Sequence, residues 1–227
     1  MTKKGKRYQK AQENVVKHSI LAPREAFALV KENATAKFNE TISAQVNLGI
    51  DPAKGEQAVR GSVVLPHGQG KVVRILVFAK GSYEEEAVKA GADFVGTDDL
   101  IQKIQDGWLE FDVALATPDL MGVVSKVAKL LGPKGLLPSK KLGTVTFDIE
   151  KTVRDLKSGK VFFKNNKSGI VNFVLGKASF DIDQLCDNFA FFLRSLRAVK
   201  PVSSKGIFIK KIVVSSTMGV GVGMSCE

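Results

Sequence analysis

Histidine and cysteine are scarce in this chain: two of each in 227 residues, at His18, His67, Cys186 and Cys226. Neither cysteine belongs to a C-x-x-C, and they lie far apart, which argues against a disulfide framework or a zinc site. Cys186 falls in an apolar helical pattern and reads as a small core residue. A reduced, cytoplasmic setting fits that usage. No window holds eighteen consecutive apolar residues, so no membrane-spanning helix is read. The basic stretch MTKKGKRYQK leads into no apolar run of the kind a secretory signal needs. Phosphate-loop chemistry is missing too. HGQGK (His67–Lys71) is too short for G-x-x-x-x-G-K-[ST] and precedes a strand instead of a helix. No G-x-G-x-x-G follows the first apolar strand, which excludes a dinucleotide fingerprint. No Ser/His/Asp or Cys/His set suggests itself by spacing. The expectation is a protein that is not an enzyme and uses neither metal nor cofactor.

What the chain does have is positive charge. It carries 34 Lys and Arg against 23 Asp and Glu, a net of +11. Such an excess speaks of partners, with nucleic acid ahead of an anionic membrane or plain solubility. The charge is unevenly placed. Residues 68–160 carry 14 basic and 13 acidic residues, a net of +1, so the flanks hold nearly all of the excess. Should the two flanks fold together around an inserted middle, the outer part is the anion binder.

The patterning divides at the same places. Tyr8–Lys17 and Arg24–Phe38 read as helices, the second with Ala26, Leu29, Val30 and Ala34 on one face. Thr41–Ile50 alternates strictly, with Ile42, Ala44, Val46 and Leu48 on one side and Ser43, Gln45 and Asn47 on the other. That is a half-buried strand. The middle differs in kind. Val72–Phe78, Ala92–Gly96 and Asp112–Ala116 are short apolar runs of the sort covered on both faces, separated by helical patterns at Glu84–Ala90 and Asp98–Gln105. The repeat implies a parallel α/β sheet. Thr117, Pro118 and Asp119 suit a helix start, and Gly132 with Pro133 suits its stop. Beyond Gly159, KVFFK and IVNFVL read as neighbouring strands joined by NNKSG. A long helix follows at Asp181–Val199, with Leu185, Phe189, Phe192, Leu193 and Leu196 as its stripe. A last strand covers Ile207–Ser215, and the last few residues, through Cys226, are expected to be disordered. The domains are therefore placed at 1–67 with 161–227, and at 68–160.

Five long blocks carry a resemblance: FNETISAQVNLGID, VRGSVVLPHGQGKVVRILVFAKG, AGADFVGTDDLIQKIQDGW, LGPKGLLPSKKLGTVT and SSTMGVG. In this order, and over essentially the whole chain, they closely resemble the L-one family of large-subunit ribosomal proteins. The resemblance implies an outer α/β sandwich domain built from both chain ends and an inserted, Rossmann-like three-layer α/β domain. It implies binding of the outer domain to large-subunit ribosomal RNA, forming the mobile stalk beside the tRNA exit site, where deacylated tRNA leaves. It also implies repression of translation through the chain's own messenger RNA. The expected setting is the ribosome, in cytoplasm or organelle stroma, with no membrane partner and a monomeric chain when off the ribosome.

The family's RNA contacts map onto Lys37, Phe38 and Thr41; onto Lys167, Ser168 and Gly169; and onto Thr217, Met218 and Gly219. These residue types suit the task. Hydroxyls donate to and accept from a 2′-hydroxyl, glycine allows close backbone approach, and lysine serves phosphate. From residues alone Phe38 reads more readily as core, Thr217 as a plain strand residue, and Lys167 and Ser168 as ordinary turn residues. Three positions depart from the family's pattern: Val220 stands for a usual proline, Asn166 for a usual acid, and Lys134 for a usual arginine. Between Asp119 and Asp148 no acid occurs, while Lys126, Lys129, Lys134, Lys140 and Lys141 do. That stretch is either a rigid solvated loop or a second basic surface for phosphate. Two other readings stay open: an α/β enzyme acting on a nucleotide or nucleic acid with its site in the middle region, and a free regulatory RNA binder, mainly a repressor.

Overall fold

The structure is a computed structural model that describes residues 5–15, 19–204 and 206–226, and of Lys141 only the backbone. In chain order the elements are α1 (Lys6–Glu13), β1 (Ile20–Leu21), α2 (Pro23–Glu32), β2 (Thr41–Leu48), β3 (Arg60–Val64), β4 (Ile75–Phe78), α3 (Ser82–Lys89), β5 (Phe94–Gly96), α4 (Asp98–Gln105), β6 (Val113–Ala116), α5 (Met121–Val124), α6 (Ala128–Lys134), α7 (Ile149–Lys157), β7 (Lys160–Lys164), β8 (Ile170–Lys177), α8 (Ile182–Ala198), β9 (Ile209–Ser216) and β10 (Val222–Met224). The chain is mixed α/β and gathers into two compact units, residues 1–70 with 161–227, and residues 71–160.

The first unit is built on a five-stranded sheet in the order β1-β10-β9-β2-β8. β2 lies antiparallel to both β8 and β9, and β1 runs parallel to β10. The alternation of β2 decides which face is inner. Ile42, Ala44, Val46 and Leu48 are buried, while Ser43, Gln45 and Asn47 face outward. α2 and α8 cover the inner face with Phe27, Val30, Leu185, Phe189, Phe192 and Leu196. Phe192 stacks on Phe173 at 4.0 Å between ring centroids and meets Phe163 edge-on at 5.7 Å. Those three rings tie α8 to β8 and to the small β3–β7 sheet. The fully buried Asn188 of α8 accepts from the N–H of His67 and donates to the carbonyls of Gly68 and Leu175. A buried amide is tolerated because its groups are matched.

The second unit holds a parallel three-stranded sheet, β5-β4-β6, extended by a parallel bridge between Ala116 and Val145. All four residues of β4 are buried, as expected of a strand covered on both faces. Leu76 and Phe78 pack with α4 and with Val124, Val127 and Leu131. Ile75 and Val77 point to the other side, where α3 and α7 pair. Asp112, just before β6, accepts from Lys71 Nζ at 2.6 Å and from the N–H of Arg74 at 3.1 Å, which ties down the chain leading into β4.

Several boundaries differ from the sequence reading. The helix expected through Phe38 ends at Glu32: beyond it the N–H of Ala34 donates to the carbonyl of Lys31 and that of Thr35 to the carbonyl of Asn33, and the N–H of Ala36 donates to the carboxylate of Glu40. The strand expected from Val72 begins at Ile75, and Val72 stands 86% exposed. Gly132 and Pro133 do not stop the helix before them. α6 runs through both and ends at Gly135 with φ 73°, a left-handed conformation that favours glycine. Thr117 caps with its backbone position only, without a side-chain hydrogen bond. The tail through Cys226 is not disordered: β10 pairs with both β9 and β1, and Gly223 permits this because a Cβ there would sit 2.7 Å from the Ser19 carbonyl oxygen. α7 and β3 had no counterpart in the sequence reading. The expected helix at Tyr8–Lys17 is α1 as far as Glu13, and residues 16–18, including His18, lie outside the described residues.

The stacked ring makes a stability test of the first unit. Phe192→Ala removes both the stack and the edge contact, and is expected to lower the unfolding free energy by about 3–5 kcal/mol, measured by urea denaturation.

Candidate nucleic-acid interface

Two of the three predicted residue groups come together. Thr41 opens β2, and Thr217 follows β9 directly, on the neighbouring strand. The N–H of Thr41 donates to Thr217 Oγ1 at 3.0 Å, and that hydroxyl donates back to the carbonyl of Thr41 at 3.3 Å. The Thr41 hydroxyl in turn accepts from Lys177 Nζ at 2.8 Å, leaving its own proton free to donate outward. Thr217 has therefore spent its donor internally and retains one lone pair for a partner.

Glu40 stands at the junction. Its side chain is buried, with the residue 1% exposed. One carboxylate oxygen accepts from the N–H of Ala36 at 3.0 Å and the other from the N–H of Met218 at 2.9 Å. Its backbone carbonyl accepts from Ala178 at 2.8 Å. Burial alone pushes the carboxyl up, but these N–H groups, with the nearby Ser216 hydroxyl and the Arg7 guanidinium, outweigh it and hold the group below the ordinary glutamate value. Ser216 Oγ is buried without a partner at full hydrogen-bond geometry, so its effect on Glu40 is that of a nearby dipole. Gly219 leaves room at this turn for the Ser216 hydroxyl as it stands: a Cβ there would lie 2.4 Å from Ser216 Oγ, which would have to rotate away.

The loop that Glu40 closes with Ala36 pushes Phe38 outward. Phe38 is 54% exposed and Met218 is 52% exposed, so both are surface residues beside the junction. Lys37 is exposed as well. The reading of Phe38 as core is thereby set aside: the helix that would have carried it inward stops at Glu32.

The third group is elsewhere. Lys167, Ser168 and Gly169 form the β7–β8 turn, at the far end of β2, where the N–H of Leu48 donates to the Gly169 carbonyl. Seven residue steps of strand separate this end from Thr41, about 23 Å. Asn166 closes the turn by accepting from the N–H groups of Ser168 and Ile170, both at 2.9 Å. Gly169 has φ 73°, the left-handed region. Lys167 and Ser168 project from this braced turn, both exposed.

Between the two ends lies the outer face of the sheet. Ser43, Gln45 and Asn47 stand on it, opposite Ser215, Val213 and Lys211 of β9 and Val174, Asn172 and Ile170 of β8. None of these is an acid. The face is a lane in which the hydroxyls and amides of Ser43, Gln45, Asn47, Asn172 and Ser215 stand with Lys211 and the aliphatic Val174, Ile170 and Val213, and both predicted site ends are its termini. Sequence reasoning had placed Ser43, Gln45 and Asn47 on the outer side but gave them no role. Glu40 was missed because a lone acid beside a strand looks solvated; only a partner some 178 residues away reveals it.

In the second unit, Lys126, Lys129, Lys134 and Lys140 are exposed, and among the described residues none has an ion-pair partner. The side chain of Lys141 lies outside the described residues. The loop under them is braced, with the Thr144 hydroxyl accepting from the N–H of Ser139 at 2.7 Å and donating back to its carbonyl. Pro138 is buried.

Residues 30–220 match the Ribosomal protein L1p/L10e family, and the chain belongs to that family. The family is one of structural, ribosomal-RNA-binding components of the large ribosomal subunit, and it is not a family of enzymes. Among the described residues no helix is long and apolar enough to cross a membrane.

The lowered carboxyl of Glu40 has a definite sign. Its stabilising contribution is complete above the ordinary glutamate value and is lost as pH falls through the lower folded value. Glu40→Gln leaves one buried N–H facing an amide donor, which costs about 1–3 kcal/mol at neutral pH. The gap between wild type and E40Q, followed by denaturant unfolding, is expected to hold down to about pH 4.3 and to close below it.

Proposed function

We propose that the unit formed by the two chain ends is the RNA-binding domain, laying its outer sheet face along a helical segment of large-subunit ribosomal RNA, and that residues 71–160 form an inserted domain. The observation that carries this reading is the lane on the sheet. Lys37, Phe38, Thr41, Thr217, Met218 and Gly219 stand at one end, Lys167, Ser168 and Gly169 at the other, and between them the hydroxyl and amide row of Ser43, Gln45 and Asn47 lies among Ser215, Asn172, Lys211 and three aliphatic residues, with no acid. An RNA helix presents 2′-hydroxyls and phosphates across a wide, shallow groove, to which a flat face of hydroxyls and amides is suited. Lysines at both ends supply phosphate contacts that position the chain, and the exposed Phe38 and Met218 supply apolar surface for a sugar or base.

Family membership extends the reading. The RNA segment is that of the mobile stalk beside the tRNA exit site, and the complex assists the departure of deacylated tRNA. The same surface serves for a similar structure in the chain's own messenger, repressing its translation. Lys126, Lys129, Lys134, Lys140 and Lys141 form a second, phosphate-contacting surface that adds affinity without reading sequence.

The direct test is titration of a stem-and-loop fragment of large-subunit ribosomal RNA across a range of salt, against a random-sequence duplex. Tight binding that survives physiological salt and resists the competitor is expected. Binding that collapses with salt and ignores RNA identity would contradict the proposal. Phe38→Ala is expected to weaken binding by roughly 1–3 kcal/mol, with the melting of the free protein unchanged because the ring is half exposed. Replacing Lys134 and Lys140 by Gln is expected to lower the salt slope by roughly 0.7–0.9 for each lysine that neutralises a phosphate, with discrimination against the random duplex preserved. An unchanged slope would identify the loop as solvated only.

A further inference from the structure

The residues at the Phe38–Met218 end come from segments that are far apart in sequence, and their arrangement rests on one side chain. Glu40 offers two carboxylate oxygens, each taken by a backbone N–H from a different segment. The Ala36 bond closes the loop from which Phe38 projects. The Met218 bond fixes the turn from which Met218 projects. The Glu40 carbonyl holds a third segment through Ala178. Only a carboxylate presents two equivalent acceptors in one plane. A glutamine supplies one acceptor and turns a donor toward the second N–H.

Building on the RNA-binding reading above, we propose that Glu40 is a positioning residue that presets the Phe38 loop and the Met218 turn in the RNA-free protein and so determines affinity for the structured RNA without touching it. Both apolar side chains are half exposed and have little packing of their own to hold them. Without the clamp each segment would have to be ordered when RNA arrives, and affinity would fall by that ordering cost. Because the carboxylate is buried, it carries out this task without presenting its charge to the phosphates. The neighbouring Thr41–Thr217 pair holds the strand ends but engages neither the Ala36 nor the Met218 N–H, so it cannot substitute.

The test compares wild type with E40Q in three readouts: amide proton shifts and hydrogen exchange of Ala36 and Met218 by NMR, affinity for the ribosomal RNA stem-and-loop, and affinity for a random duplex. In the wild type, free of RNA, both amides are expected to lie downfield and to be protected from exchange. In E40Q at least one of them loses its shift and protection, stem-and-loop affinity falls about tenfold to a hundredfold, and random-duplex affinity is unchanged. Altered amides with unaltered stem-and-loop affinity would overturn the proposal, leaving Glu40 a purely structural residue. Ready exchange of the Met218 and Ala36 amides in the free wild-type protein would overturn it as well, whether or not E40Q folds. Failure of the wild type to prefer the stem-and-loop over the random duplex is a separate outcome: it removes the RNA-binding reading itself, and the positioning proposal with it.

Discussion

The two N–H groups that meet on the Glu40 carboxylate are the constraint around which the candidate interface is organised. One comes from the loop after α2 and the other from the turn after β9. A buried ionised carboxylate is costly unless its oxygens are matched, and here both are matched by donors that need an acceptor themselves. The bond pair joins the two neighbouring features: the loop that holds Phe38 outside the core closes on one oxygen, and the turn that carries Met218 closes on the other.

The sheet beneath gives this junction its reach. β2 is hydrogen-bonded on both sides, so its outer residues lie at fixed spacing on a surface that is hard to deform. The same period of two that buries Ile42, Ala44, Val46 and Leu48 sets Thr41, Ser43, Gln45 and Asn47 in a row on the other side. Core formation and interface formation are thus one pattern seen from opposite faces. At the far end, Asn166 braces the turn. Its amide oxygen accepts the two N–H groups that close the turn, a task that needs an acceptor and not a charge.

Much of this was legible in the sequence where a period was long and clean. The alternation from Thr41 and the stripe of Leu185, Phe189, Phe192, Leu193 and Leu196 identified β2 and α8, because apolar burial dominates both elements. The parallel sheet of the second unit was legible from its short, continuous apolar runs. What stayed hidden depended on contacts between distant segments. The apolar period of α2 continues to Ala34, and nothing local says that Glu40 will take the Ala36 N–H. β10 has glycine at its centre and β1 has two residues; β1 is held as a strand by β10, and β10 by β1 and β9. Of the candidate site, the types of residue were legible, and their separation into two ends of one strand was not.

The central claim is that the outer face of the five-stranded sheet, from the Phe38–Met218 end to the Lys167 turn, lies against RNA. The most direct measurement is amide shift mapping of the isotope-labelled protein as the ribosomal RNA stem-and-loop is added. The account predicts perturbations at Phe38, Thr41, Ser43, Gln45 and Asn47, at Lys211, Ser215 and Met218, and at Lys167 and Ser168, in one contiguous band. Perturbations confined to the basic loop at residues 126–141, with the sheet face silent, would contradict it.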